Sequence, residues 1–487
     1  MKPWLLLIPI ILPVICGFML LIPETLQKPK LRRWFIGAVL VIDTVLTVIF
    51  ALLPDMTITL FSINDKLSVA LRLDNLSRVF SVLSSVVMLA AGIYSFAYMK
   101  QERDERRFFL FYLLVAGMLS AIAYSGNMMT LYMFFEVMTL LSVPLVLHTL
   151  TKESIGAAFK YLYYSLGGAS LALIGFFFVY TYGTTLEFTP GGVLDLSKLA
   201  GNETPMLLAT LAAIIGFGAK AGMVPLHAWL PTAHPAAPAP ASAILSGVIT
   251  KAGVFATLRF VFQLVGADFI RGTFVQYTWL ALAVITILYG STAALREQRL
   301  KTRLAYSTVS QLSYLQLGLA TLTTSGALGA VLHMVFHSVA KSALFMIAGV
   351  IIQKTGKTRA DELHGAGGRL PLAMWCFALL GVALVGIPPA GGFFSKWAIA
   401  GGSLTSDAGF FTWLGPVALL IGALLTAWYL FPISVRSLFA GDTEKQPKIK
   451  VAGLMLLPII LLTAAAFLTG LFSGSLSELL SRLGLII

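Results

Sequence analysis

Six ionisable side chains stand where charge is expensive: Asp43, Glu136, Lys220, Lys251, Lys341 and Lys396 each lie inside an apolar run. A charge at the centre of a membrane helix costs about 2.5–3.5 kcal/mol on insertion scales, so the six together represent on the order of 15 kcal/mol. Groups retained at that cost mark ion or proton paths. Lysine is the informative type, because burial favours its neutral form and a nearby carboxylate favours its charged form. A lysine whose carboxylate partner approaches or retreats is therefore a proton site that can be switched. In LYMFFEVMTLL, Glu136 is the only central acid of the first of two repeated halves of the core, outside which Asp43 lies, and Lys220 is that repeat's first central base. The two are read as a pair; the plain alternative is that Glu136 satisfies a backbone defect.

In HMVFHSVAKSALF, His333, His337 and Lys341 follow at i, i+4 and i+8. That spacing puts all three on one helix face over about 12 Å. Histidine titrates near neutrality, so the stripe reads as a stretch of proton wire. A zinc pair is the sharper rival but has no third ligand, and no metal is expected; satisfied polar packing is the blander one. His227 and His234, in PLHAWLPTAHPAAPAP, are either where protons enter or polar groups of a loop. Asp43 stands alone on an early span and is assigned to a contact with another subunit. Arg259, eight residues after Lys251, is read as an anchor that snorkels outward.

The elements that must position these groups are membrane helices. The chain of 487 residues is 58% apolar and only 11% charged, with a mean hydropathy of +0.89. Soluble domains carry about 25% charge. Apolar runs of about 20 residues, enough to cross a bilayer, number about fourteen, from near 4–23 to near 451–472. The first is taken as a retained helix, since Ile15 before Cys16 is too bulky for a lipoprotein cleavage box. Cys16 and Cys376 both fall within spans, so no disulfide framework or metal cluster can be built from them. No loop exceeds about 25 residues, and none holds a phosphate-binding loop or a dinucleotide fingerprint. No cofactor is expected, and a soluble catalytic domain would have to belong to another polypeptide.

The net charge of +13 invites a nucleic-acid reading. Placed on the alternating spans, however, 22 of the 34 lysines and arginines fall in loops on one side and 7 on the other. This is the positive-inside bias. It predicts that both termini face outward and accounts for the basic composition through the lipid bilayer, with no nucleic acid.

Two spans are broken. The seventh, IGFGAKAGMVPLHAWLPTAHPAAPAP, carries Lys220 before Pro225; the twelfth contains VGIPPAGGFFSKW, with Lys396 after Pro388 and Pro389. They are an odd number of spans apart and so run in opposite directions. Paired broken helices in opposed halves predict inverted repeats with the site at the breaks. The expected fold is all-α and integral to the membrane, with two inverted five-helix repeats. The expected segments are 1–107 (an N-terminal three-helix segment), 108–264 (the first repeat), 275–435 (the second repeat) and 451–487 (a C-terminal helix).

An ordered series of segments resembles a known family. FFEVMTLLS, GAKAGMVPLHAWLPTAHPAAPAPASAILSGVITKAG, RLAYSTVSQLSY, HMVFHSVAKSALF and GIPPAGGFFSKW together span roughly residues 120–400. The chain resembles the antiporter-like subunits of the complex I superfamily. These are the D-type member of Mrp cation/proton antiporters, the proton-pumping membrane subunits of respiratory complex I, and relatives in membrane-bound hydrogenases. The resemblance implies that Glu136 is the family glutamate, Lys220 its partner in the broken helix and Lys251 the connecting lysine. It further implies that His333, His337 and Lys341 form the polar stripe between half-channels, and that Lys396 is the ionisable group of the second broken helix. One branch of the family has glutamate at that last position, and lysine is more like the Mrp D type.

The implied function is proton translocation within a multi-subunit Mrp-type antiporter, beside other membrane subunits of a bacterial or archaeal cell membrane. Alternatives are a proton-pumping subunit of a redox-driven complex, which has no redox site in this chain, and the membrane partner of an inorganic-carbon uptake system. A purely structural scaffold would leave the six central charges without a use. Sodium requires several oxygen ligands, whereas the central groups are mostly nitrogen bases, so any sodium path is assigned to partners or to an interface.

Overall fold

The computed structural model describes residues 3–22, 26, 28–439 and 447–481. Lys2, Lys445 and Arg482, which entered the charge comparison, lie outside the described residues, as do both chain ends. Ten helices are long and apolar enough to cross a membrane: α2 (Pro29–Ala51), α3 (Asn75–Tyr98, continued by a short turn), α4 (Glu105–Ala123), α5 (Met128–Val146, likewise continued), α6 (Lys152–Tyr182), α9 (Ala239–Val265), α10 (Phe274–Arg296), α12 (Thr324–Thr355), α15 (Phe410–Leu438) and α16 (Gly453–Leu471). Four further columns complete fourteen among the described residues. Two of these are α1 (Ile8–Met19, entered through a 3-10 turn) and α11 (Leu300–Ala320). The other two are broken, α7 (Glu203–Lys220) with α8 (Leu230–Ala236), and α13 (Pro371–Val385) with α14 (Gly391–Leu404). A last helix, α17 (Ser473–Ser481), follows α16. Two of the four shorter columns are interrupted, and α11 is rich in polar residues. Its sequence LKTRLAYSTVSQLSYLQLGLA is nevertheless almost wholly buried.

The breaks occur where the sequence removes helix bonds. α7 ends at Lys220, and Pro225 and the turns around it separate it from α8. α13 ends at Gly386, whose φ of 92° is a left-handed cap that a glycine adopts without strain, and Pro388 and Pro389 hold the chain away from helix until Gly391. The corresponding helices pack alike: α6 on α7 as α12 on α14, α5 on α6 as α11 on α12, and α4 on α5 as α10 on α11. α7 lies against α9 as α14 lies against α15. The same order of neighbours recurs in the two halves, each around a broken helix.

Basic loops gather on one face. There Arg32 and Arg33 clasp Glu105 at 2.9 and 2.7 Å, the Arg107 guanidinium donates to the His148 carbonyl at 2.5 Å, and the backbone of Arg299 bridges that of Arg359. The opposite face carries a feature that the sequence presents as loop. Residues 56–73 form an antiparallel hairpin of β1 (Met56–Ser62) and β2 (Ser68–Leu73), tied to the α4–α5 turn by the Arg72 amide to the Tyr124 carbonyl (2.6 Å) and the Gly126 amide to the Ala70 carbonyl (2.9 Å).

Candidate functional site

The core of the membrane domain holds a row of buried polar groups. Lys220 is 1% exposed, at the last turn of α7. Its Nζ donates to Thr139 Oγ1 at 2.8 Å, to the Tyr161 hydroxyl at 2.6 Å and to Ser165 Oγ at 3.5 Å, and sits 4.5 Å from the centre of the Tyr161 ring. Tyr161 in turn is 2.6 Å from Ser142 Oγ. Glu136 lies one helical turn before Thr139 on α5 and is half-buried, and its Oε1 has no hydrogen-bond partner among the described residues. The expected Glu136–Lys220 pair is not a contact ion pair here. The two interact as charges across the Thr139 turn, while hydroxyls satisfy the lysine directly.

α9 carries Lys251 past this group at close range: a Cβ on Gly253 would stand 2.9 Å from the Lys220 Cβ, so only a glycine permits the approach. The helix is wider than α at Leu245–Ile249, where a π turn precedes Lys251. Lys251 Nζ donates to the Ser246 carbonyl in that turn. Ser246 Oγ is 2.8 Å from Thr308 Oγ1 of α11, and Thr308 Oγ1 donates to the Leu304 carbonyl at 3.0 Å. The same carbonyl accepts from Lys341 Nζ at 3.0 Å. Lys251 and Lys341 thus flank a buried Ser246–Thr308 hydroxyl pair, each lysine anchored on a backbone carbonyl beside it.

The α12 stripe lies on one face as its spacing requires. His333 and His337 stack with ring centres 5.8 Å apart, and both are fully buried. His333 Nδ1 is 2.9 Å from Ser395 Oγ, next to Lys396 in the chain. His337 lies one turn after His333 and one turn before Lys341 on the same face of α12. Neither of its ring nitrogens has a protein partner among the described residues. Groups of that kind in a polar interior are the usual hosts of buried water. Lys396 closes the row on α14: its Nζ donates to the Leu384 and Val385 carbonyls at 2.6 and 3.0 Å, the free carbonyls at the end of α13, and lies 5.0 Å from the Tyr314 ring centre. The proline break therefore supplies the acceptors of the second terminal lysine.

The two remaining histidines separate. His227 is half-buried in the α7–α8 linker, edge-on to Tyr289 at 4.6 Å. His234 is not a loop group: it is fully buried in α8, stacked 4.5 Å from the Phe345 ring and within charge range of Lys251 and Lys341. Lys301, counted as a loop residue from the sequence, reaches under it to donate to the Pro235 and Ala237 carbonyls. Among the described residues no group of three or more His, Cys, Asp or Glu could hold a metal ion.

Two readings need correction. Arg259 does not snorkel: its side chain is fully buried and forms a bidentate pair with Asp74, at 2.6 and 2.8 Å. Asp74 also caps α3 through the Ser77 amide, so the arginine ties α9 to the head of α3. Asp43 does not face another subunit. It is 3% exposed, on the buried stripe of α2 against α3.

Fold and site together define a polytopic membrane protein with a buried ionisable row joining two broken helices. Residues 125–426 match the family described as NADH:quinone oxidoreductase/Mrp antiporter, TM, and residues 60–109 match the one described as NADH-Ubiquinone oxidoreductase (complex I), chain 5 N-terminus. The chain is 31% identical to the N-type subunit of the NADH-quinone oxidoreductase of Desulforudis audaxviator, over 83% of this chain and 82% of that one. It is 28% identical to the D-type subunit of the Na(+)/H(+) antiporter of Alkalihalophilus pseudofirmus, over 96% and 93%. A chain of the Mrp complex from Dietzia sp. superposes with a TM-score of 0.86 at 20% identity, over 98% of this chain and 96% of that one, a likeness of fold. The chain belongs to the NADH:quinone oxidoreductase/Mrp antiporter transmembrane family.

Proposed function

We propose that the chain translocates protons as a membrane subunit of a multi-subunit cation/proton antiporter of the Mrp type. The observation that carries this reading is the row of buried ionisable groups itself, Lys220, Lys251, Lys341, His337, His333 and Lys396, with a lysine beside each helix break. Support for the antiporter assignment comes from the Na(+)/H(+) antiporter relative of Alkalihalophilus pseudofirmus, which matches over nearly the whole of both chains.

In this scheme protons reach the row from the basic, inward face near His227, which is half-buried at the α7–α8 break. Lys220 takes up the proton when the Glu136 charge favours its ammonium form. Transfer along Lys251, the Ser246–Thr308 hydroxyls, Lys341 and the histidines delivers it to Lys396, which releases it towards the outward face. Glu136 sits beside the exposed Val137 and Leu140 of α5, where a neighbouring subunit can change its environment. Other membrane subunits of the complex supply that neighbour, and both chain termini face outward.

Lys220→Ala and Glu136→Ala are to be assayed in the assembled complex, reconstituted in vesicles, for gradient-driven proton movement. Loss of transport with intact assembly is expected, and unchanged transport in both variants would sink the path. A second reading, a proton-pumping subunit of a redox-driven complex, is favoured by the 31% relative of the NADH-quinone oxidoreductase class. Purification in mild detergent and identification of the co-purifying subunits separates the two: small antiporter subunits support the first, redox subunits the second.

A further inference from the structure

Asp43 is the one central carboxylate that the row does not use. The buried stripe of α2 runs Ile36, Val39, Leu40, Asp43, Thr47, Phe50, while Val41, Ile42, Val45, Val48 and Ile49 are exposed. The carboxylate is therefore held against α3 and away from the surroundings. α3 meets it with hydroxyls: Ser81, Ser84 and Ser85 are all buried, and Thr44 Oγ1, 3.3 Å from the Ser85 carbonyl, fixes the level at which the two helices face each other. From α4, the fully buried Tyr124 hydroxyl lies against Thr47, Ser81 and Asp43.

Two of these oxygens, Asp43 Oδ1 and Ser84 Oγ, have no hydrogen-bond partner among the described residues. Asp43 forms no ion pair among the described residues. Arg78, one turn before Ser81, is turned to Asp55 at 2.8 Å and to the Leu53 carbonyl at 2.6 Å. A buried carboxylate with neither hydrogen bond nor counter-charge is costly, and is relieved by a proton or by a bound cation. The convergence of neutral hydroxyls from three helices favours the cation, because a protonated carboxyl needs one acceptor, whereas an ion needs several oxygens. The donors are all oxygen, which excludes soft metals. One formal negative charge balances a monovalent ion and leaves a divalent one overcharged in a dry interior.

We propose that Asp43, with Thr47, Ser81, Ser84 and Tyr124, forms a binding site for a monovalent alkali cation in the N-terminal helices, apart from the lysine row. Asp43 is eight residues from the end of α2 at Ala51, about 12 Å along the helix, which puts the site nearer the face that carries the hairpin than the basic face.

The test uses the purified complex in lipid nanodiscs, treated with a hydrophobic carbodiimide, which modifies protonated carboxyls. Modification of Asp43 is read by peptide mass spectrometry in sodium, potassium or choline chloride at constant ionic strength. Sodium or potassium is expected to suppress modification saturably and choline is not. In Tyr124→Phe and Ser84→Ala the half-effective concentration is expected to rise about tenfold, as for one lost ligand. Modification indifferent to all three salts, or suppressed equally by choline, overturns the site and leaves Asp43 a protonated acid. Thermal unfolding gives a second measurement if Asp43 resists the reagent. Sodium or potassium should raise the melting temperature above its value in choline for the native chain and not for Asp43→Asn; an equal rise in both overturns the proposal.

Discussion

Lys251 and Lys341 flank a pair of hydroxyls across three helices. The Ser246 carbonyl accepts from the first lysine and the Leu304 carbonyl from the second, and between them Ser246 Oγ and Thr308 Oγ1 are 2.8 Å apart. The carbonyls only accept and so anchor the two lysines, while the hydroxyls both donate and accept, so this pair can take part in a proton relay through water, whereas a methyl group in its place cannot. Thr308→Val keeps the shape of the side chain and removes the hydroxyl. Proton transport is expected to fall about tenfold, a barrier increase of about 1.4 kcal/mol. Vesicle assays of proton uptake check this, with Thr308→Ser expected to restore the rate.

Lys220 and Tyr161 give a second test. The tyrosine hydroxyl accepts from the lysine at 2.6 Å and contacts Ser142 at the same distance, so it holds Nζ in place. In Tyr161→Phe the lysine keeps Thr139 and Ser165 but loses its closest acceptor. Removing one partner of a buried charged hydrogen bond costs about 1–3 kcal/mol. Transport is expected to fall between about fivefold and a hundredfold and its pH optimum to move, while assembly is unchanged. A pH profile that does not move would show that Tyr161 has no hold on Lys220.

Much of this arrangement was legible in the sequence because its cause is local. The adjacent prolines before Lys396 cannot continue a helix, and the break appears where they stand, between Gly386 and Gly391. The i, i+4, i+8 spacing of His333, His337 and Lys341 survives because a continuous helix preserves it. What was not legible depends on neighbours far along the chain. Thr139, Tyr161, Ser246 and Thr308 look ordinary in apolar helices, where such side chains usually bond their own preceding turn. Their role follows only once α5, α6, α9 and α11 are packed. The same holds for Arg259, whose partner Asp74 lies 185 residues away. The inward orientation of Asp43 was harder to read, because residues 36, 39, 40, 43, 47 and 50 have helical period but the exposed Val41, Ile42 and Val45 between them are as apolar as the buried stripe.

The glycines of the second break make a packing prediction. A Cβ on Gly392 would collide with the Ala383 carbonyl and press on Phe336 at 2.9 Å, so α14 could no longer approach α13 and α12. Gly392→Val is expected to lower the melting temperature of the complex and to abolish transport, because Lys396 would lose the α13 carbonyls. Backbone is what the new side chain meets, and backbone does not swing aside. A variant with native stability and transport would show that the break opens without cost.

The Arg259–Asp74 pair sets an acid limit. Asp74 lies outside the membrane-spanning segments, at the head of α3; burial alone would raise its carboxyl, but the Arg259 charge and the bonds from Arg259 and Ser77 outweigh that and hold it at about 2. An unfolded aspartate titrates near 3.9. The folded carboxyl therefore binds its proton less readily than the unfolded one, and its contribution of about 2.5 kcal/mol is fully present above about pH 4 and lost as the pH falls through about 2. Asp74→Asn leaves Arg259 buried without its counter-charge, a loss of about 3–5 kcal/mol at neutral pH. Melting temperatures measured from pH 7 down to pH 3 should show the native complex declining on the acid side and Asp74→Asn starting lower with a shallower decline. Parallel curves would mean that Arg259 finds another partner when the carboxylate is removed.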